Sequence, residues 1–235
     1  VSAISVTDTA EQDSFASIVG SLVSSDRDLN DSATYAVTGG SLSSRSGYDL
    51  QMDGHYGTLY LNSGTGAYEY APLDAAINAL TANASESFTL TMTDSAGATA
   101  GRVLSIQIQA ANDRPTLRAS RSSASFIDSA GDDNFVPISG NLIGSDRDAE
   151  ARLNYTLQGA TANSTLSGYN LSKRGSFGTL YLNSGTGAYT YVPNDAAIEG
   201  QPAGSLAQDD FVFEVSDGDL SETTGFTAWI VGAGD

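Results

Sequence analysis

Residues 57–68 read Gly-Thr-Leu-Tyr-Leu-Asn-Ser-Gly-Thr-Gly-Ala-Tyr, and residues 178–189 repeat all twelve. The separation is 178 − 57 = 121, and other pairs nearly keep it: Asp146 follows Asp26 by 120 and Asp217 follows Asp94 by 123. Ile18 to Asp28 matches Ile138 to Asp148, and Pro72 to Ile77 matches Pro193 to Ile198, so the chain is a tandem duplication with small loop insertions. Inside the repeated stretch, Leu-Tyr-Leu and a following Tyr-x-Tyr flank Ser-Gly-Thr-Gly, which predicts two short strands joined by a glycine turn.

Further along each copy, Phe88, Leu90 and Met92 alternate with Thr89, Thr91 and Thr93, and Phe211, Phe213 and Val215 repeat the pattern. Period-two spacing of this kind predicts half-buried strands. Pro72 and Pro193 end the second arm of each hairpin. The helical candidates are single turns beginning near Asp74 and Asp195, too short for a crossover between parallel strands, with each Asp expected as a helix N-cap. The fold class expected is all-β: two tandem antiparallel Greek-key β-sandwiches of about seven strands each. The alternation through Leu104, Ile106 and Ile108 breaks at Asn-Asp-Arg-Pro, which places a first repeat at residues 1–111, a linker at 112–118 and a second repeat at 119–235. The copies differ most at 39–55, 159–176 and 200–208, read as loops.

Composition narrows the chemistry. With 10 Lys and Arg against 28 Asp and Glu the net charge is −18, there is no Cys, and His55 is the single histidine. Thiol nucleophiles, disulfide frameworks and Cys or multi-His zinc sites are excluded. Nucleic acid and anionic membrane surfaces are disfavoured as partners, because both are bound through Lys and Arg clusters. No apolar run approaches the roughly 20 residues of a spanning helix, and no signal segment opens the chain, so the expectation is an excised soluble fragment without membrane insertion.

Oxygen-rich loops point to a hard cation. Asp26-Arg27-Asp28 and Asp146-Arg147-Asp148 follow the second strand of each copy, and residues two apart on extended chain face one way. Calcium takes about six to eight oxygens, so further ligands must converge. The last hairpin of a sandwich lies at the same end and carries Asp94 in the first copy and Asp217 in the second. The entering linker brings Asn112 and Asp113 to the second copy, and Glu11 is the first copy's candidate at its opposite pole. Each residue alone is an ordinary turn former. Their recurrence at matched offsets in so acidic a chain favours calcium. Catalysis fares worse: His55 sits in a turn, and its counterpart is Ser176, so no triad is duplicated. Trp229, in the terminal strand, is expected as core or edge packing.

The run Tyr56-Gly-Thr-Leu-Tyr-Leu-Asn, Gly-Ala-Tyr-Glu-Tyr-Ala-Pro, Asp74-Ala-Ala-Ile-Asn-Ala-Leu, Phe88-Thr-Leu-Thr-Met-Thr-Asp-Ser-Ala-Gly and Asn112-Asp-Arg-Pro115 resembles the VCBS repeat. Such cadherin-like, bacterial Ig-like modules are strung along giant bacterial surface proteins, including repeats-in-toxin adhesins. The resemblance covers nearly the whole chain, twice. It implies calcium-stiffened stalk repeats rather than an enzyme, extracellular, secreted or at the bacterial cell surface. The implied partners are neighbouring repeats of the same chain, with the fragment itself a monomer. Departures are Arg114 where the family commonly has Ala, Ala151 in place of an acidic partner for Asp31, and a second copy ending Val231-Gly-Ala-Gly-Asp. The alternative reading is a carbohydrate- or protein-binding β-sandwich module, which would specialise one copy.

Overall fold

Leu59 and Leu61, with Leu180 and Leu182 in the second copy, are fully buried, while the residues between them are half-buried. The repeated stretch therefore forms strands whose inner faces build two separate cores. The computed structural model describes residues 3–23, 25 and 32–234. The chain divides into two compact units, Val1–Asp113 with Arg147–Ala149, and Arg114–Asp146 with Glu150–Asp235.

The first unit comprises β1 (Ile4–Thr7), β2 (Ile18–Ser21), β3 (Thr34–Val37), β4 (Ser41–Leu42), β5 (Leu50–Asp53), β6 (Gly57–Leu61), β7 (Ala67–Pro72), α1 (Asp74–Asn78), β8 (Ala84–Thr93) and β9 (Thr99–Gln109). The second comprises β10 (Thr116–Ala119), β11 (Ser123–Ile127), β12 (Ile138–Ser145), β13 (Asn154–Leu157), β14 (Thr161–Ala162), β15 (Leu171–Arg174), β16 (Gly178–Leu182), β17 (Ala188–Pro193), α2 (Asp195–Glu199), β18 (Leu206–Ser216) and β19 (Ser221–Val231). Each unit packs two sheets. In the first they run β1-β9-β8-β3 and β2-β7-β6-β5-β4; in the second, β11-β19-β18-β13 and β10-β12-β17-β16-β15-β14.

The all-β sandwich reading holds, with three differences of detail. Among the described residues there are more strands than seven per unit, because β4, β5, β14 and β15 extend the sheets through segments read as loops. Leu50 to Asp53 is too short a run to display alternation. Strands β1 and β11 pair in parallel with β9 and β19, against the antiparallel expectation, since each docks on the free edge of the unit's last strand across a long connection. Thr116, Leu117 and Arg118, in the segment read as linker, are paired in β10.

The glycine turn has a local cause. Asn62 Oδ1 accepts N–H bonds from Gly64 (3.1 Å) and Thr65 (2.9 Å), and Gly66 adopts φ 72° to close the hairpin. Gly57 is required for a different reason. A Cβ there would lie 2.4 Å from the Tyr70 ring, which crosses the strand; Gly178 stands in the same relation to Tyr191.

Those two tyrosines anchor each core to a loop. Tyr70 Oη donates to Glu86 Oε1 (2.6 Å), and Glu86 Oε2 accepts the backbone N–H groups of His55 (2.7 Å) and Tyr56 (3.1 Å). In the second unit Tyr191 Oη donates to Asp209 Oδ2 (2.8 Å), and Asp209 accepts from Ser176 (2.7 Å) and Phe177 (2.9 Å). His55 thus serves through its backbone, which any residue supplies, Ser176 included. Burial first, then the bonded carboxylate, push both phenols above their ordinary 10.0.

The sign of the resulting pH dependence is fixed. Above about pH 10 the unfolded chain releases phenolic protons that the folded chain keeps, so stability falls with rising pH by ~1.4 kcal/mol per unit for each tyrosine. Urea denaturation between about pH 9 and 11 should show this loss, and Tyr70→Phe with Tyr191→Phe should flatten it. At neutral pH each substitution should cost about 1–3 kcal/mol, because the carboxylate loses a buried donor.

Candidate metal centre

In β11, Ala124 and Phe126 are buried, and alternation carries the next inward position to Asp128. Asp128 continues the strand, its N–H donating to Val231 O (2.9 Å). The carboxylate is 6% exposed. Its Oδ2 accepts the Ala233 N–H (2.9 Å), while its Oδ1 is buried with no hydrogen-bond partner. The loop that follows turns Asp133 back toward it: Ser129 N–H donates to Asp133 Oδ2 (2.6 Å), and Asp133 N–H donates to Glu199 Oε1 (2.8 Å). Glu199 is the last residue of α2. One carboxylate oxygen from each of Asp128, Asp133 and Glu199 lies within 4.8 Å of the others.

This donor set suits calcium. Two oxygens at about 2.3–2.6 Å from a shared ion stand at most ~5 Å apart, so all three fit one shell, and an all-oxygen anionic set selects hard cations. The ion would supply positive charge to a buried carboxylate oxygen for which the protein provides no donor.

The first unit holds the same frame with one change. Asp8 follows buried Ile4 and Val6, donates its N–H to Gln109 O (2.9 Å), accepts the Ala111 N–H on Oδ2 (3.4 Å), and also leaves Oδ1 buried without a partner. Asp13 Oδ2 accepts the Thr9 N–H (2.5 Å). The offsets 128 − 8 = 120, 133 − 13 = 120 and 199 − 78 = 121 match, but the third residue is Asn78. Its Oδ1 accepts the Asp13 N–H (3.2 Å), and its Nδ2 donates to the carbonyls of Asp13 (3.1 Å) and Asp74 (2.7 Å). Burial pushes the Asp8 carboxyl up, whereas the bond to Thr9 holds Asp13 down. One neutral amide thus stands where the second unit has a carboxylate.

Of the residues named from sequence, Asp113 and Asp148 are both buried in the first unit, and Asp113 N–H donates to Asp148 Oδ2 (2.7 Å). Asn112 Nδ2 donates to Asp113 O (3.3 Å). Asp146 belongs to the second unit and is half-buried. Asp217 Oδ1 accepts from Asp219 (2.7 Å) and Leu220 (2.8 Å), and Asp94 Oδ1 from Ala98 (2.7 Å), so both shape the tips of hairpins. Asp26 and Asp28 lie outside the described residues. Glu11 is exposed, and its counterpart is Gly131. The recurring pair Asp8 and Asp13, matched by Asp128 and Asp133, was the signal beside it.

Two expectations are corrected. The helix N-caps are Leu73 and Asn194, not Asp74 and Asp195. The aspartates tie each helix to the preceding loop instead, Asp74 Oδ1 accepting from Phe15 (3.0 Å) and Asp195 Oδ1 from Phe135 (3.3 Å). Trp229 is neither core nor edge: Ala228 and Ile230 point inward on the inner strand β19, so alternation turns Trp229 outward, 48% exposed.

No family model matches the chain, and no curated protein matches it. Among solved structures, the protocadherin gamma-B4 extracellular domain is 18% identical with TM-score 0.37, covering 96% of this chain and 33% of that one. Protocadherin gamma-B2 extracellular cadherin domains 1–5 are 13% identical with TM-score 0.43, covering 98% and 38%. Mouse cadherin-23 EC22–24 is 12% identical with TM-score 0.38, covering 99% and 64%. The chain spans a third to two thirds of the length of these structures, and likeness at this level carries no functional argument. No helix among the described residues is long and apolar enough to cross a membrane.

A variant separates metal binding from turn formation. Asp128→Asn keeps the oxygen that accepts from Ala233 and places an N–H donor at the position of the partnerless Oδ1. In chelator it should match or exceed the wild-type melting temperature, a gain of up to about 1 kcal/mol, while losing any further rise on adding calcium. Equal destabilisation in both buffers would mean that Asp128 is only a turn residue.

Proposed function

We propose that the chain is a pair of calcium-binding extender repeats from the extracellular stalk of a bacterial surface adhesin of the repeats-in-toxin kind, acting as a spacer and not as a catalyst. The observation that supports it best is the partnerless buried Oδ1 of Asp128 beside Asp133 and Glu199. Calcium there would join the end of β11, the loop after it and the end of α2 through shared ligands, stiffening one pole of the sandwich. On the repeat pattern alone, Asn112, Asp113, Asp146, Asp148 and Asp217 are proposed as further oxygen ligands, with Asp26, Asp28 and Asp94 as the first-copy counterparts of the last three and Glu11 as a ligand at that copy's opposite pole.

A second reading is supported by one face. Ile127, Leu206 and Trp229 share the outer surface of the sheet β11-β19-β18, where the registers pair Ile127 with Val231, Leu206 with Val231 and Gln208 with Trp229. All three are exposed, and the matching first-copy residues are Thr7, Asn83 and Gln107. Apolar specialisation of one copy suits a carbohydrate-binding module in which Trp229 stacks on a sugar ring. Glycan-array binding that Trp229→Ala abolishes would favour that reading over the spacer.

Melting in calcium, magnesium and chelator tests the main proposal. A ligand bound by the folded state alone adds about 2.7 kcal/mol at a hundredfold excess over Kd. Calcium should raise the melting temperature and magnesium much less, since magnesium prefers a smaller octahedral shell. Small-angle scattering should show a narrower distribution of end-to-end distances with calcium, at unchanged mass. Equal melting temperatures in calcium and chelator would refute calcium binding; unchanged distances despite binding would refute the stiffened stalk.

A further inference from the structure

Beside Trp229, on the outer face of the second unit, stands a carboxylate held in place by its neighbours. Across β18 and β19 the register sets Gln208 opposite Trp229 and Asp210 opposite Thr227. Side chains two apart on a strand share a face, so the four form one patch. Asp210 Oδ1 accepts the Thr227 hydroxyl (2.7 Å), and Oδ2 accepts the Gln208 amide N–H (2.5 Å). Those two bonds hold the Asp210 carboxyl below the usual carboxylate range, so it is ionised at neutral pH.

The first unit has the same registers and none of this chemistry. Ser85 lies opposite Gln107 and Ser87 opposite Ser105. These match Gln208, Trp229, Asp210 and Thr227 at offsets of 123 on the first strand of the pair and 122 on the second. Gln107 Nε2 donates to Ser105 Oγ (2.9 Å), and the surface there is neutral and without an aromatic ring. The shared sheet therefore needs none of the four residues of the second-unit patch.

The patch dictates what it can hold. Each oxygen of an ionised carboxylate has two lone pairs, so after bonding Thr227 and Gln208 both Asp210 oxygens can accept again. A ligand must bring donors. The exposed indole meets the apolar C–H face of a sugar ring, and neighbouring hydroxyls at the ring's edge bring two O–H donors side by side. An acidic sugar fails on charge, because its carboxylate would meet Asp210 in a chain of net charge −18. A protein interface centred here would desolvate Asp210 at its core, where charged residues are depleted.

We infer that Trp229 and Asp210 form a binding site for neutral polysaccharide. Trp229 stacks on a pyranose ring, Asp210 accepts two of its hydroxyls, and Gln208 and Thr227 orient the carboxylate. This site rests on the carbohydrate-binding reading above and gives it a ligand charge class and a second recognition residue.

Affinity electrophoresis of the full chain tests it, in gels containing neutral polysaccharides (a glucan, a mannan or a galactan) or acidic ones (alginate or polygalacturonate). Two variants take the first unit's own residues, Trp229→Gln and Asp210→Ser. Their melting temperatures should stay near that of the parent, since the same sheet carries those residues at Gln107 and Ser87. At least one neutral polysaccharide should retard the parent, and neither acidic one should. Trp229→Gln should abolish the retardation, and Asp210→Ser should raise the dissociation constant about tenfold or more, as loss of charge-assisted bonds requires. Retardation that Trp229→Gln removes but Asp210→Ser leaves unchanged would overturn the proposal while leaving the carbohydrate-binding reading intact. Equal retardation by alginate would do the same. No retardation of the parent in any gel would refute both.

Discussion

A strand that keeps its alternation one step beyond its last apolar residue must bury whatever comes next, and in both units an aspartate comes next. Asp8 follows Ile4 and Val6; Asp128 follows Ala124 and Phe126. Parallel pairing with the unit's last strand extends one bond past the apolar residues, through Asp8 N–H to Gln109 O and Asp128 N–H to Val231 O. The carboxylate is thereby held under the sheet edge, with one oxygen satisfied by a backbone N–H and the other by nothing in the protein. Burying an ionised carboxylate carries an effective penalty of several kcal/mol unless charge or hydrogen bonds offset it. A divalent cation offers the offset that the fold withholds.

Duplication makes each unit a control for the other. The frames around Asp8 and Asp128 differ chiefly at one position, where Asn78 spends its amide on two carbonyls and Glu199 presents a third anionic oxygen. On the proposed reading, a cation at this frame would therefore favour the second unit through local chemistry within a shared fold. The same comparison isolates the outer face around Trp229 as a departure confined to one copy. Features common to both units, the Tyr70 and Tyr191 anchors among them, serve the fold.

The sandwich was legible because its determinants are local. The twelve-residue repeat, the alternation at Phe88 and Phe211 and the Asn-Ser-Gly-Thr-Gly turn all act over a few residues. What escaped depends on long-range placement. Glu86 and Asp209 differ in type and meet their tyrosines 16 and 18 residues away, so no motif announces them. Parallel docking of β1 on β9 joins residues about a hundred positions apart. Asp8 and Asp13 flank Glu11, the first copy's candidate at its opposite pole, but the absence of an acid at Gly131 and the recurrence of Asp128 and Asp133 argue for these neighbours instead. Trp229 was misplaced because an aromatic residue in a strand says nothing of its face until flanking Ala228 and Ile230 are known to point inward.

The central claim is that one anionic oxygen, present at Glu199 and absent at Asn78, decides which of the two matching frames would bind calcium. Calorimetric titration of calcium into the chelator-treated full chain, with Glu199→Asn and Asn78→Glu alongside, tests it most directly. Glu199→Asn should remove one binding equivalent or weaken it by about tenfold or more, and Asn78→Glu should add one, as expected when a carboxylate ligand is lost or gained. Isotherms that superimpose for all three proteins would contradict it.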